Sequence, residues 1–73
     1  MSLGNLRALL ASGQPHICAV EGQGSEAVVA LGYDHDRNSY TVLEANGAVS
    51  QIASGEFDTA FVLAGNRATP LAA

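Results

Sequence analysis

The hydrophobic positions of the chain begin at helical spacing. A leucine stripe over residues 3–11 places four side chains on one side of a helix, namely Leu3, Leu6, Leu9 and Leu10. Ser2 or Asn5 can act as its N-cap. Gly13 stands where a left-handed residue would end the helix, and Pro15 follows two residues later. The pattern therefore predicts a helix over residues 3–11 with a sharp end.

After the helix, the pattern changes to short apolar or alternating segments separated by turn residues. Such segments are typical of strands, and they cover residues 16–21, 26–33, 39–45, 49–54 and 61–64. Asn46-Gly47 is a strong hairpin signal between the third and fourth segments. The run Gly-Gln-Gly-Ser at 22–25 indicates a loop. The tail from residue 65 has no periodicity, and we expect it to be loose.

The second of these segments reads AVVALGY over residues 27–33 and is almost continuously apolar. A strand that is apolar on both sides is usually central, with neighbours on both edges and cover on both faces. The loops between strands have hairpin length, which implies antiparallel pairing. The sequence thus predicts an α+β fold, in which one N-terminal helix packs on a five-stranded antiparallel, curled or half-barrel sheet within a single small domain, 1–73.

Composition indicates a thin core. The 73 residues include two Phe, two Tyr and no Trp, and the apolar fraction of 48% comes mainly from Ala, Val and Leu. A chain of this size only just offsets the entropy cost of folding. We therefore expect that a protein or peptide partner, or a homo-dimer, helps to stabilise it.

The charge balance separates possible partners. The formal net charge is −4, and the three basic residues Arg7, Arg37 and Arg67 lie far apart. Nucleic acids and anionic membrane surfaces bind through clustered Lys and Arg, so neither is an expected partner. A basic protein or peptide would suit this chain better.

Cysteine content and hydropathy bear on location. The single Cys18 cannot form an internal disulfide, and the chain shows no signal-peptide pattern. No apolar run approaches the roughly 18 residues needed to span a bilayer. The expected setting is a reducing, cytoplasmic one.

Cys18 is also the one candidate thiol nucleophile. It lies within a predicted strand, and His16 stands two residues earlier, where its side chain could share the same face. A thiol becomes reactive only when a base or a helix N-terminus stabilises the thiolate. A buried cysteine acting as a small hydrophobic residue is the more common arrangement.

Two glutamates form a second candidate site. Glu26 opens the second strand and Glu44 lies near the end of the third, so they could face each other across the hairpin. Paired carboxylates can perform acid/base chemistry when one raises the pKa of the other. More often, such residues lie apart at strand ends and are solvated.

The turn after the second strand has the alternating oxygen ligands of a calcium loop: Asp34, Asp36 and Asn38. The glycine and glutamate that this loop requires further on are replaced by Ser39 and Ala45. His35 could add a weak metal contact, but we predict a hairpin turn and no metal site. The Gly-x-Gly of residues 22–24 precedes a strand rather than a helix, so we predict no phosphate loop and no cofactor.

Four segments of the chain follow one another in the order seen in a known protein family. They are LLASGQP at 9–15, AVVALGYD at 27–34, YTVL at 40–43 and SGEF at 54–57. In this order they resemble the C-terminal β-rich half of papain-like cysteine peptidases of the bacteriocin-processing, double-glycine peptidase type. The resemblance covers roughly residues 6–63, and Gly-Tyr-Asp after an apolar strand is its most suggestive motif.

The departures from this family concern catalysis. The family uses a cysteine in an N-terminal half, a histidine that opens the central strand, and an Asp or Asn on the neighbouring strand. The 73 residues hold no counterpart of that half, while Glu26 and Glu44 stand about where the histidine and the acid would be. A carboxylate with a reference pKa of about 4.3 cannot replace imidazole near neutral pH. The resemblance thus implies a catalytic pair that has been lost.

Taken together, these features predict a non-catalytic peptide- or protein-binding module rather than an enzyme. Its candidate binding surface comprises Glu26, Asp34, His35, Asp36 and Glu44. An exposed edge strand could also take up an extended peptide by strand addition. Two alternatives remain open: a subunit or fragment of a cysteine peptidase completed by another chain, and a small acidic immunity, chaperone or inhibitor protein.

Overall fold

The computed structural model describes residues 1–21 and 25–71. The elements in chain order are α1 Leu3–Ala11, β1 His16–Glu21, β2 Ser25–Asp34, β3 Ser39–Leu43, β4 Val49–Ala53, α2 Ser54–Leu63 and β5 Ala68–Pro70. The strands form one open antiparallel sheet, which confirms the predicted α+β class. The predicted Gly-x-Gly loop at 22–24 lies outside the described residues.

The sheet has the strand order β4-β3-β2-β1-β5, so the apolar β2 is central, as predicted. Its register brings four residues level across neighbouring strands: Ile17 pairs with Val29, Val29 with Leu43, and Leu43 with Val49. Thr69 of β5 pairs with Ile17 and completes a row across all five strands.

The beginning and end of α1 follow from local sequence. Ser2 is the N-cap, and its hydroxyl accepts a hydrogen bond from the Asn5 N–H at 3.2 Å. The helix ends at Ala11, and Gly13 adopts a positive φ of 84° that favours glycine. Leu6 and Leu10 are buried in the core, and Leu3 packs against it.

The second helix corrects one prediction. Residues 61–64 do not form a strand, because α2 covers Ser54–Leu63. Phe57 and Phe61 lie one helical turn apart, both are fully buried, and their stacked rings are 5.9 Å apart between centroids. The four-residue spacing places both rings on the side of α2 that packs against the sheet.

The tail provides a second correction. A loose segment was predicted from residue 65, but Ala68–Pro70 form β5, which pairs with β1. Further main-chain bonds continue the pairing: the Ala19 N–H donates to the Arg67 carbonyl at 3.1 Å, and the Leu71 N–H donates to the Pro15 carbonyl at 3.0 Å. Main-chain pairing orders this segment although its side chains show no pattern.

Both helices pack on the same face of the sheet. The core joins residues of α1 and α2 to inward side chains of three strands: Leu6, Leu10, Cys18, Val28, Ala30, Tyr40, Val42, Phe57 and Phe61. We call the opposite side of the sheet the open face; its central part carries Ile17, Ala19, Ala27, Val29, Leu31, Thr41, Leu43, Val49, Gln51 and Thr69. The same alternation places Glu21 at the end of β1 and Asp34 at the end of β2 on this face. The predicted cover on both faces of β2 is therefore found on one face within the described residues. Neither α1 nor α2 is long and apolar enough to cross a membrane.

A β-bulge interrupts the pairing of β2 with β3. Ala30 pairs with Val42, but the next pair is Gly32 with Thr41, which leaves Leu31 as the extra residue. Beyond the bulge Tyr33 points to the helix side, where its ring centroid lies 4.8 Å from that of Tyr40. The bulge thus determines which face receives the aromatic side chain at the end of β2.

Candidate functional site

A cavity of about 450 Å³ lies between α2 and one end of the sheet. Its apolar lining comes from β1, β2, β4 and α2, through Val20, Val28, Ile52, Phe57, Ala60 and Leu63. Phe57 is a fully buried core residue, so one wall of the cavity is the core itself. The cavity is large enough for one or two side chains of a partner.

All four glutamates of the chain line this cavity: Glu21, Glu26, Glu44 and Glu56. Glu21 and Glu26 lie on the strands β1 and β2, and Glu56 lies in the first turn of α2. Glu44 is half-buried, while the other three are exposed. The cavity therefore combines an apolar wall with carboxylates that remain accessible to solvent.

The register of the central hairpin explains why Glu26 and Glu44 meet here. Val29 pairs with Leu43, so the next step brings Val28 level with Glu44. Glu26 lies two residues from Val28 and shares its face of the strand. The two predicted carboxylates therefore line one cavity, although they are diagonal rather than directly opposite.

The arginines of the chain are engaged elsewhere. Arg7 forms a salt bridge with Asp58, and Arg37 lies 3.6 Å from Asp34. Arg67 donates to the carbonyl oxygen of Ala64 from Nε at 3.1 Å and from Nη2 at 3.0 Å. Four of the seven carboxyl-bearing side chains, those of the glutamates, belong to residues that line the cavity, and no arginine is among the lining residues that the structure describes.

A polar network lies outside the cavity and joins three elements. The Tyr40 hydroxyl accepts a hydrogen bond from Arg7 Nε at 2.8 Å and donates one to Asp58 Oδ1 at 2.7 Å. Arg7 Nη2 also donates to Asp58 Oδ2, which closes the triangle. Arg7 Cζ lies 4.9 Å from the centroid of the Tyr33 ring, in cation–π contact. The network links α1, β3 and α2 and has a structural role.

Burial governs the chemistry of this network. Tyr40 is fully buried, and burial is the main cause that raises its pKa from 10.0 to about 12; the nearby Asp58 adds to the effect, and Arg7 opposes it. The pKa of Arg7 is raised, chiefly by its hydrogen bond to Tyr40. Tyr40 is therefore neutral and Arg7 charged across the physiological range of pH.

The candidate thiol lies within the core. Cys18 is fully buried, and burial raises its pKa from 9.0 to about 11. His16 is also buried and shares the same face of β1, but its Nδ1 is 2.8 Å from the Gln14 carbonyl. The Cys18 Sγ contacts the main-chain carbonyl of His16 at 3.8 Å. Cys18 thus has the surroundings of a small core residue and not those of a thiolate nucleophile.

The acidic turn after β2 forms a separate structure at the other end of this strand. Asp34 Oδ1 accepts hydrogen bonds from the N–H groups of Asp36 at 3.0 Å and Arg37 at 3.2 Å, and Asn38 adopts a positive φ of 49°. His35 lies beside Tyr33, with 6.4 Å between ring centroids. Across the described residues, no three His, Cys, Asp or Glu side chains are grouped so as to hold a metal ion.

The predicted binding surface is therefore divided in two. Glu26 and Glu44 line the cavity, whereas Asp34, His35 and Asp36 belong to the turn at the other end of β2. Sequence reasoning missed Glu21 and Glu56 as members of the cavity. Glu21 could have been found from its position at the end of β1, but the place of Glu56 depends on α2, whose last residues were predicted as a strand.

Comparison with family models, with curated proteins and with solved structures found no match for this chain.

Proposed function

We propose that this protein is a non-catalytic module that binds a basic peptide or protein segment in the glutamate-lined cavity. The observation that carries the proposal is the gathering of all four glutamates around one apolar cavity, while the arginines contact other groups. Like charges repel one another, so four carboxylates around one opening favour a cation there. A partner that supplies this cation gains attraction without competition from the chain's own arginines.

The lining indicates which basic group fits. A Lys or Arg side chain combines an aliphatic stem with a charged end. The stem can lie against Val28, Ile52 and Leu63, while the charged end reaches the carboxylates at the rim. Complementary charge would also speed association and make it sensitive to salt.

The resemblance to double-glycine peptidases fits this proposal. In that resemblance Glu26 and Glu44 stand about where the family's histidine and acid would be, and both residues line the cavity. We propose that the cavity is a former substrate-side surface that retains binding without catalysis. The buried Cys18, with its raised pKa, offers no nucleophile for a peptidase subunit.

A binding experiment with matched charge variants tests the proposal. The probes are short peptides with blocked, uncharged termini, in which leucine alternates with lysine, with glutamate or with serine. Binding is followed by calorimetry and by amide chemical shifts. We expect the lysine peptide alone to bind, with shifts centred on Glu26, Glu44 and Glu56. The affinity should fall as salt is added.

The variants Glu26→Gln and Glu44→Gln each remove one charge from the cavity. Each exposed or half-exposed ion pair contributes up to about 1 kcal/mol, so each variant should weaken binding by about 2- to 5-fold, and the double variant by more. Asp36→Asn removes one charge from the distant, exposed turn and is the control. Equal weakening by Asp36→Asn would show that only net charge matters, and the proposal would then fail.

A further inference from the structure

The open face of the sheet is unusually apolar for a surface in contact with water. Its central row runs from Val49 through Leu43, Val29 and Ile17 to Thr69 and carries no charge. Val49 is 61% exposed and Ile17 is 38% exposed. The row crosses all five strands, a distance of about 19 Å at the usual strand spacing.

We propose that two copies of this chain associate through their open faces, sheet against sheet, as a symmetric homo-dimer. The first support comes from β2, whose apolar side chains alternate between the core face and the open face. Val28 and Ala30 are buried against the helices, while Val29 and Leu31 are half-buried on the other side. A continuously apolar strand is typical of a sheet covered on both faces.

Charge favours a second copy as the occupant of this face. A protein with a net charge of −4 repels its copies wherever its acidic surfaces meet. The central row of the open face is uncharged, and Glu26, Glu44 and Glu56 lie on the helix side of the sheet, whereas Glu21 and Asp34 lie at strand ends of the open face, away from its central row. Two copies that meet through the open face therefore keep their acidic cavities directed away from each other.

The available area is close to what a dimer needs. The three principal extents of the protein are similar, 29 × 28 × 23 Å. One of its six sides therefore presents about a sixth of the 4357 Å² of accessible surface, which is about 730 Å². A standard-sized interface buries about 800 Å² on each partner. Two sheets packed in this way lie about 10 Å apart, with interdigitated side chains as in a β-sandwich.

The mass of the full chain in solution tests the dimer. We expect sedimentation equilibrium at micromolar concentration to give about 14.8 kDa, twice the 7.4 kDa of the chain. Val49→Glu and Thr69→Glu place a charge at opposite ends of the row, and each should raise the dissociation constant of the dimer at least tenfold. Both residues are exposed, so the variants should fold, and circular dichroism checks this.

The matched control is Val62→Glu, because Val62 is 50% exposed on α2 and lies away from the open face. It should leave the dissociation constant within about twofold. A wild-type chain that stays at 7.4 kDa, including one that binds a different protein on this face, would overturn the proposal. Weakening by Val49→Glu alone would indicate pairing through the edge of β4 and would overturn it as well.

The dimer does not depend on the proposed binding of basic segments. Glu26→Gln should weaken peptide binding and leave the mass unchanged, whereas Val49→Glu should change the mass. The two proposals can therefore fail separately.

Discussion

Tyr40 provides a sharp test of what holds the two helices to the sheet. Its ring is fully buried and stacks on Phe57, with 4.0 Å between centroids. Tyr40→Phe keeps this ring and removes only the hydroxyl that bonds to Arg7 and Asp58. The variant therefore measures the contribution of the polar network apart from that of core packing.

The structure sets the expected magnitude. A hydrogen bond to a charged group contributes about 1.5–3 kcal/mol. The side chains of Arg7 and Asp58 are 35% and 21% exposed and remain paired with each other, so water and this pairing compensate part of the loss. We expect the free energy of unfolding to fall by about 1–3 kcal/mol, which for a domain of this size lowers Tm by about 5–20 °C.

Urea and thermal unfolding followed by circular dichroism provide the assay. The control is Tyr33→Phe, because Arg7 contacts the Tyr33 ring, while within the described residues the Tyr33 hydroxyl makes no hydrogen bond. This variant should change the free energy of unfolding by less than about 0.5 kcal/mol. Equal losses in the two variants, or an unchanged stability in Tyr40→Phe, would refute the structural role of the network.

Two further predictions concern the ionisable core groups. Near neutral pH, Cys18 should react with a thiol reagent at least about 100-fold more slowly than a free cysteine, because it is buried and its pKa is raised to about 11. Rapid modification of Cys18 in the folded protein would contradict its placement in the core. Below about pH 9, the ionisation of these two groups should not affect the free energy of unfolding. Ionisation of Cys18 should lower it between pH 9.0 and about 11, and ionisation of Tyr40 should lower it between pH 10.0 and about 12. The sign follows because both pKa values are raised by folding, so the unfolded chain releases these protons first, and each group contributes a slope of up to about 1.4 kcal/mol per pH unit. Urea midpoints measured across this pH range check the prediction. Tyr40→Phe should remove the loss of stability assigned to Tyr40, and Cys18→Ala should remove the loss assigned to Cys18.

The elements that sequence reasoning predicted well are those with local signals. The helix α1 has its cap at Ser2 and its stop at Gly13 within a few residues of the leucine stripe. The hairpin at Asn46-Gly47 is likewise specified by its own residues, and Gly47 adopts a positive φ of 85°. Such signals do not depend on tertiary contacts, so they can be read from one segment at a time.

The helix α2 was missed because its signals conflict. The run Ala-Phe-Val-Leu at 60–63 is short and apolar and contains residues that favour strands, so periodicity alone does not separate strand from helix. The N-cap residue is Ala53, which makes no side-chain capping bond. The decisive contacts are those of Phe57 and Phe61 with the sheet, and they appear only when the chain is folded.

The lining of the cavity could be anticipated from the sequence only where it depends on the hairpin. The hairpin allowed Glu26 and Glu44 to face each other, although separate positions were the more common expectation, and the place of Glu56 at the cavity required α2. The polar network was missed entirely, because Arg7 bonds to partners 33 and 51 residues away in sequence. No local pattern marks contacts over such separations.

The bulge at Leu31 has a consequence for the length of β2. Side chains alternate strictly along a strand, so even-numbered Val28 and Ala30 face the helices before the bulge, and odd-numbered Tyr33 faces them after it. An unbulged strand of the same length would turn the tyrosine ring to the open face, and Arg7 would lose its aromatic contact and Tyr40 one neighbouring ring. Deleting Leu31 would instead remove the extra residue, so Gly32 and Tyr33 would keep their partners Thr41 and Tyr40 and the ring would stay on the helix side. The bulge therefore lets β2 hold one residue more than its partner strand requires without changing the face on which Tyr33 lies.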